Sequence, residues 1–161
     1  MPKSLAPALT VVVALVSTSA LAQNAPAFEK KNYNYAEWAK GRFSEVVTAT
    51  GPAKMIFLAG VGAEDENGKP GDILHKDNFV AQCKYAYDKI KRALAANGSS
   101  LKDAVKMTVY VTDMRYRLDW AKCSGEAFAG ATVPAQTLLG ISALAFPEMI
   151  LEIDVTAVAH E

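Results

Sequence analysis

The chain has no surplus charge of either sign: its 17 lysine and arginine residues balance its 17 aspartate and glutamate residues. A neutral protein has no long-range field that would draw it to phosphate backbones or to anionic lipid. The densest basic clusters, Lys89 to Arg92 and Arg115 to Arg117, are short and are interpreted as solvated surface. The sequence therefore predicts no nucleic-acid partner.

Histidine and cysteine are also scarce, with two of each in 161 residues. His75 and His160 fall in a predicted loop and at the C-terminus, and the cysteines form no CxxC motif. This composition argues against a metal site and against a thiol redox motif. Cys83 and Cys123 leave two interpretations open, which are a structural disulfide and a small buried apolar residue at Cys83 on a helical stripe.

The apolar run at the N-terminus, Leu5 to Val16, is shorter than the roughly 18 residues that a membrane-spanning helix needs. It follows Lys3 and precedes Ala20-Leu21-Ala22, which has the small residues of a signal-peptidase site. Residues 1–22 are therefore predicted to be a signal peptide that is cleaved near Ala22. A retained membrane anchor is the alternative. Export predicts a periplasmic or secreted protein with no membrane partner after cleavage.

Residues 23–42 form a polar N-terminal extension, and residues 43–161 form a single predicted domain. The aromatic residues of the extension need a surface, so we expect it to lie against the domain. Gly51-Pro52 separates the first two predicted strands and indicates a hairpin that ends at Gly60. Alternation and helical spacing predict strands over residues 43–50, 55–59, 104–112, 134–144 and after Pro147, and helices over residues 77–97 and 115–129.

This order of elements predicts an α+β domain in which two helices cover one face of a mixed sheet. The other face would combine polar and apolar residues, namely Tyr110, Thr108, Leu138, Gly140, Glu152 and Thr156. Such a face is too mixed for a second core and too apolar for solvent alone. Self-association through this face is therefore predicted.

The run from Ala95 to Met114, AANGSSLKDAVKMTVYVTDM, resembles the helix–turn–strand signature of the RidA/YjgF family. Members of this family are reactive-intermediate deaminases, often labelled endoribonuclease L-PSP. Leu58-Ala59-Gly60, Val133 to Thr137 and Leu151 to Asp154 follow in the family's order, so the resemblance covers residues 43–159. It implies a chorismate-mutase-like fold and a homotrimer with clefts between subunits. It also implies hydrolysis of amino-acid-derived enamines and imines without metal or cofactor.

In this family an arginine after Pro-Ala binds the substrate carboxylate, and a glutamate of the last strand orients substrate or water. The resemblance assigns Glu152 to the glutamate position and Gln136 to the arginine position. It assigns Ala59, Phe43 and Ala121 to the positions of a serine, a tyrosine and an asparagine. The predicted ligand-binding residues are Gln136, Glu152, Gly60, Phe43, Ala59 and Leu138, and Glu152 is the catalytic candidate if activity remains.

Structural roles stay open for the two key residues. Gln136 could be hydrogen-bonded at a subunit interface, and Glu152 could be an interfacial ion-pair partner of Lys106 or Arg117. The replacements favour an exported trimer that binds a small metabolite and lacks the ordinary deaminase activity. The alternative is a divergent deaminase whose substrate has no carboxylate or is held by another cation. RNA cleavage has the weakest support because no basic, aromatic-lined stripe is present.

Overall fold

The computed structural model of the protein describes residues 27–160. The predicted signal peptide, its cleavage site and the start of the extension lie outside this range. Within it, no helix is both long enough and apolar enough to cross a membrane. The strands are β1 (Glu29–Tyr33), β2 (Val46–Thr50), β3 (Lys54–Val61), β4 (Ala104–Val111), β5 (Ala135–Gly140) and β6 (Leu151–Ala159), and the helices are α1 (Phe79–Ala96) and α2 (Arg117–Ala127).

The main sheet contains four strands in the order β3-β6-β4-β5. β6 is antiparallel to β3 and β4, whereas β5 is parallel to β4, so the sheet is mixed. Met107, Val109 and Val111 of β4 are fully buried in one core with residues of α1 and α2. Both helices therefore cover the same face, and the predicted α+β fold is confirmed.

The opposite face of this sheet, called the open face here, is not covered by the helices. Phe57 pairs with Thr156, and Tyr110 pairs with Glu152, so these residues share the open face. Phe57 is 71% exposed, which is unusual for a phenylalanine within a strand. The open face comprises Met55, Phe57, Lys106, Thr108, Tyr110, Thr137, Leu139, Glu152, Asp154 and Thr156.

Helix α1 forms where the sequence predicts it. The side chain of Asn78 accepts a hydrogen bond from the backbone N–H of Ala81 at 3.0 Å and caps the N-terminus. The chain leaves the helix at Gly98, whose φ of +70° favours glycine. The residues of the predicted apolar stripe, Phe79, Cys83, Ile90 and Leu94, are all buried.

A disulfide joins the two helices. Cys83 of α1 and Cys123 of α2 are bonded, with their Cα atoms 6.6 Å apart. The rings of Tyr87 and Trp120 stack across the same helix pair with centroids 5.8 Å apart. Tyr87 also donates its hydroxyl hydrogen to Ser124 at 3.0 Å, which satisfies a buried polar group. The structure thus adopts the disulfide, one of the two interpretations that the sequence left open.

The predicted hairpin between residues 43–50 and 55–59 is wrong. β2 pairs with β1 in a separate two-stranded sheet, while β3 pairs with β6. β3 buries Ile56 against the helices, whereas β2 contains no buried residue, so only β3 gains apolar burial from the main sheet. The extension supplies the partner of β2. Its residues Glu29–Tyr33 form β1, although they show no alternation of apolar residues.

The predicted side of β5 is also wrong. Leu138 and Gly140, predicted on the open face, pair with the buried residues Val109 and Val111 and so lie on the helix side. Gln136 pairs with Met107 and lies on the same side. Leu138 is partly buried against the core. Both faces of β5 carry an apolar residue, and alternation within the strand therefore could not indicate which face points to the helices. β5 also ends at Gly140 and not near residue 144.

Candidate functional site

Glu152 lies on the open face directly over Gly60. β3 is irregular at this point, because its register with β6 shifts between Leu58 and Val61. A Cβ atom on Gly60 would come within 1.9 Å of Oε1 of Glu152, a separation that no real side chain could occupy. Glycine at this position is therefore what leaves room for the carboxyl group. The exposed residue Ala59 lies next to it in the same irregular segment.

Glu152 is surrounded by groups that favour its protonated form. Partial burial is the main cause of its raised pKa, and the negative charges of Glu64 and Asp154 add to the shift. Among residues 27–160, neither Lys106 nor Arg117 forms an ion pair with it. Such a carboxyl group can accept a hydrogen bond from water or donate its proton to a basic nitrogen.

The neighbouring acids are each held by a partner. Burial opposes ionisation of Glu64, but Lys89 outweighs this effect with a 2.9 Å ion pair, so the pKa of Glu64 is lowered. Tyr110 donates its hydroxyl hydrogen to Asp154 at 3.0 Å, and this bond raises the pKa of Tyr110. Glu64 can therefore remain charged beside Glu152.

Gln136 lies on the other side of the sheet from Glu152. Its Oε1 atom is buried and has no hydrogen-bond partner among the described residues. Buried polar atoms are normally paired, so an unpaired one needs an explanation such as a ligand or a second chain. Leu138 follows on the same side of β5. Within one chain, the structure therefore separates Gln136 and Leu138 from Glu152 and Gly60.

Phe43 lies next to the start of β5. The backbone N–H of the following residue, Ser44, donates to the carbonyl oxygens of Val133 and Pro134 at 3.0 and 3.3 Å. The Ser44 hydroxyl also donates to Val133 at 2.9 Å. Phe43 is thus held near the strand that bears Gln136. Ala121 is exposed on α2, in a different element from the other predicted site residues.

Residues 36–159 match the family model described as Endoribonuclease L-PSP. The chain belongs to this family. Its membership of the RidA/YjgF family, which the sequence predicts, is therefore confirmed. A RutC family protein of Pyrococcus horikoshii is 33% identical over 124 residues, covering 75% of this chain and 88% of the relative.

Solved structures of the RidA/YjgF family share the fold. YyfB of Yersinia pestis, described as a Rid family protein of unknown function, is 27% identical, with a TM-score of 0.68. The match covers 80% of this chain and 97% of YyfB. A YjgF family protein of Neisseria meningitidis is 27% identical with a TM-score of 0.54, over 83% of this chain and 97% of that one.

Two cavities of this RidA/YjgF domain lie on the helix side, away from the predicted site. Their volumes are about 220 and about 260 Å³. None of the predicted site residues lines either cavity. Residues 27–160 also contain no group of three or more histidine, cysteine, aspartate or glutamate side chains that could hold a metal ion. These two cavities are therefore separate from the predicted site residues.

Three residues that the sequence pattern does not indicate also contribute to this region. Ser44 fixes the extension to β5, Glu64 places a charge beside Glu152, and Trp38 packs its ring on Phe43. A lone tryptophan in a polar extension was the one available signal among them. The roles of Ser44 and Glu64 depend on contacts between distant parts of the chain, for which the sequence has no local pattern.

Proposed function

We propose that this protein is an exported, trimeric RidA-like protein that binds a small metabolite in clefts between its subunits. In this proposal it lacks the ordinary imine deaminase activity of the family. The observation that carries the proposal is the separation of Gln136 and Glu152 on opposite sides of the sheet. A cleft that uses both groups would take them from two chains, which agrees with the inter-subunit clefts that the family resemblance implies.

The open face supports self-association. Phe57, Met55 and Leu139 are 71%, 57% and 41% exposed, and they lie at both edges of the sheet. Apolar side chains at this density on one face favour burial against another protein surface. Because a closed assembly repeats the same contact, several copies of the chain can cover this face at once.

Gln136 supports the loss of the ordinary reaction. An arginine can form two charge-assisted hydrogen bonds with a substrate carboxylate, whereas a glutamine amide has no charge to neutralise it. Each charge-assisted bond contributes roughly 1.5–3 kcal/mol. Without two such bonds, the reaction should be slower by at least about a hundredfold. An uncharged ligand suits the amide better.

The disulfide supports the proposal of export. Structural disulfides persist in oxidising compartments such as the bacterial periplasm and are rare in the cytosol. The link between Cys83 and Cys123 is buried, so it is suited to a structural role. Together with the predicted cleavage site near Ala22, it favours a mature protein that begins near Gln23. Intact mass of the protein recovered from the periplasm or medium tests this start directly.

Two measurements test the binding function. Light scattering of the purified protein should give the mass of a trimer, and native mass spectrometry should show a small molecule retained at up to three copies. Gln136→Ala should lose this molecule without changing the trimer mass. A monomer at micromolar concentration, or equal ligand retention in the variant, would contradict the proposal.

A divergent deaminase is the second candidate, and one observation favours it. Lys106 lies on the open face with Glu152, and its ammonium group donates to Thr137 at 2.8 Å. An exposed lysine there could hold a substrate carboxylate in place of arginine. In that case an imine decay assay should show activity that Lys106→Met abolishes. Activity equal in both proteins would exclude this role for Lys106.

A further inference from the structure

Trp38 exposes a large aromatic surface beside a predicted ligand-binding residue. Its ring packs edge-on against Phe43, with centroids 5.6 Å apart and an interplanar angle of 67°. Even so, 61% of Trp38 is exposed. Tryptophan combines a large apolar ring with an N–H donor and is therefore enriched where a protein surface meets another molecule. Trp38 therefore extends the surface of Phe43 and keeps most of its own ring free.

The extension that bears Trp38 is held in place by specific hydrogen bonds. The side chain of Asn34 donates to the Phe43 carbonyl at 2.8 Å, and that of Asn32 donates to the Ser44 hydroxyl at 2.7 Å. The backbone N–H of Ala36 donates to the Glu45 carboxylate at 2.8 Å. These bonds flank Trp38 on the chain, so the indole ring is attached to a fixed segment and not to a loose tail.

This segment lies against the start of β5. Ser44 forms two hydrogen bonds to the carbonyl oxygen of Val133, one from its backbone and one from its hydroxyl. Gln136 follows three residues later, and its buried Oε1 atom has no partner within the part of the chain that the structure describes. The aromatic pair and the unpaired amide therefore lie at the same end of the sheet.

We infer that Trp38 and Phe43 form an aromatic wall of the ligand site, and that the site takes an uncharged planar molecule with an amide-type edge. The indole face stacks on the planar ring. The Gln136 amide has both a donor and an acceptor, so it can pair with a group that also offers an N–H and a carbonyl. This inference rests on the proposed metabolite-binding function and adds the class of ligand.

A matched pair of probes tests the ligand class. Nicotinamide and nicotinate have the same aromatic ring. Nicotinamide carries an amide group where nicotinate carries a carboxylate. Titration calorimetry should show that the full mature chain binds nicotinamide about tenfold or more tightly than nicotinate, since a carboxylate finds no paired cation at Gln136. Gln136→Arg should reverse this preference. No binding of nicotinamide, or equal binding of both probes, would overturn the ligand class.

The role of Trp38 is tested in the same titration. Trp38→Ala should weaken nicotinamide binding by about tenfold, because the stacking surface is lost, and Trp38→Phe should keep most of the affinity. Tyr35→Ala is the matched control, because Tyr35 is 74% exposed on the same segment. It should stay within about twofold of the unchanged protein.

Two results would overturn the aromatic wall. One is nicotinamide affinity in Trp38→Ala within about twofold of the unchanged protein. The other is loss of the trimer mass in Trp38→Ala, which would assign the indole ring to a subunit contact. If Trp38→Ala has no effect while Gln136→Ala still loses the retained metabolite, this inference fails and the proposed function stands. If no small molecule binds at all, both fail.

Discussion

The helix side of the sheet and the open face differ in how fully a single chain buries their apolar side chains and pairs their charged groups. On the helix side, Met107, Ile90 and Leu94 are fully buried, and a disulfide closes the helix pair. On the open face, Phe57 is 71% exposed, and Glu152 has a raised pKa and no paired cation among residues 27–160. One side is complete as a core, and the other still offers groups to a second molecule. The helix side thus supplies the stability of the single chain, and the open face is the side that a second molecule can still cover.

The largest expected effect comes from a substitution in the core on the helix side. Met107→Ala should lower the free energy of unfolding by about 2–5 kcal/mol, because it leaves a cavity in the core. Urea denaturation measures this loss. Met114→Ala is the matched control, since Met114 is 44% exposed, and it should cost less than about 1 kcal/mol. Equal losses in the two variants would mean that the helix side is not the core.

Removing the disulfide should have a slightly smaller effect on the same side. The bond links residues 40 positions apart in sequence, and loops of this size stabilise by about 2–4 kcal/mol through the unfolded chain. The double variant Cys83→Ala and Cys123→Ala should therefore lower the urea midpoint. Adding a reductant should lower the midpoint of the unchanged protein and leave that of the double variant unaffected. A shift of similar size in the double variant would contradict this explanation.

A charge added to the open face should weaken assembly of the chains without changing the fold of each chain. This result would separate the role of the open face from that of the helix side. Thr108 is opposite Asp154 in the β4–β6 pairing. Thr108→Glu places an unpaired charge on this face, and we expect association of the proposed trimer to weaken by at least tenfold, on the order of 1.4 kcal/mol. Light scattering over a dilution series measures the loss, and circular dichroism should stay unchanged. Thr50→Glu, on an exposed residue of β2, is the control that should leave the trimer intact.

The smallest effect concerns pH. Because the pKa of Glu152 is raised in the folded protein, its ionisation opposes folding, and stability should fall as pH rises through the window just above its usual value. Glu152→Gln should therefore raise the urea midpoint at neutral pH and not below that window. The opposite change in the urea midpoint is expected at Glu148, because Lys76 lowers the pKa of Glu148. Glu148→Gln should therefore lower the midpoint at neutral pH. A destabilised Glu152→Gln would contradict the assignment.

Much of the fold could be predicted from local patterns. Alternation along β4 and helical spacing along α1 agree with the burial of Val109 and Ile90. The predicted position of Glu152 on the face away from the helices also agrees with the register of β6. These predictions succeed because a strand or a helix with one apolar side reveals its direction in its own residues.

The candidate site was less predictable, because its geometry depends on pairing between distant segments. The partner of β2, the side on which Gln136 lies, and the position of Trp38 against Phe43 have no signature in neighbouring residues. A shift of one residue in strand register turns a side chain to the opposite face. That is why the sequence could nominate candidate residues but not their arrangement.

The sequence by itself determined the elements that carry one apolar side and the family of the chain. The tertiary structure alone decided that Cys83 meets Cys123, that Gly60 gives room to Glu152, and that Gln136 lies behind the open face. The physical reason is the distance along the chain over which each effect acts. Propensity and periodicity act within a few residues, whereas these arrangements depend on which distant strands and helices bury the most apolar surface together.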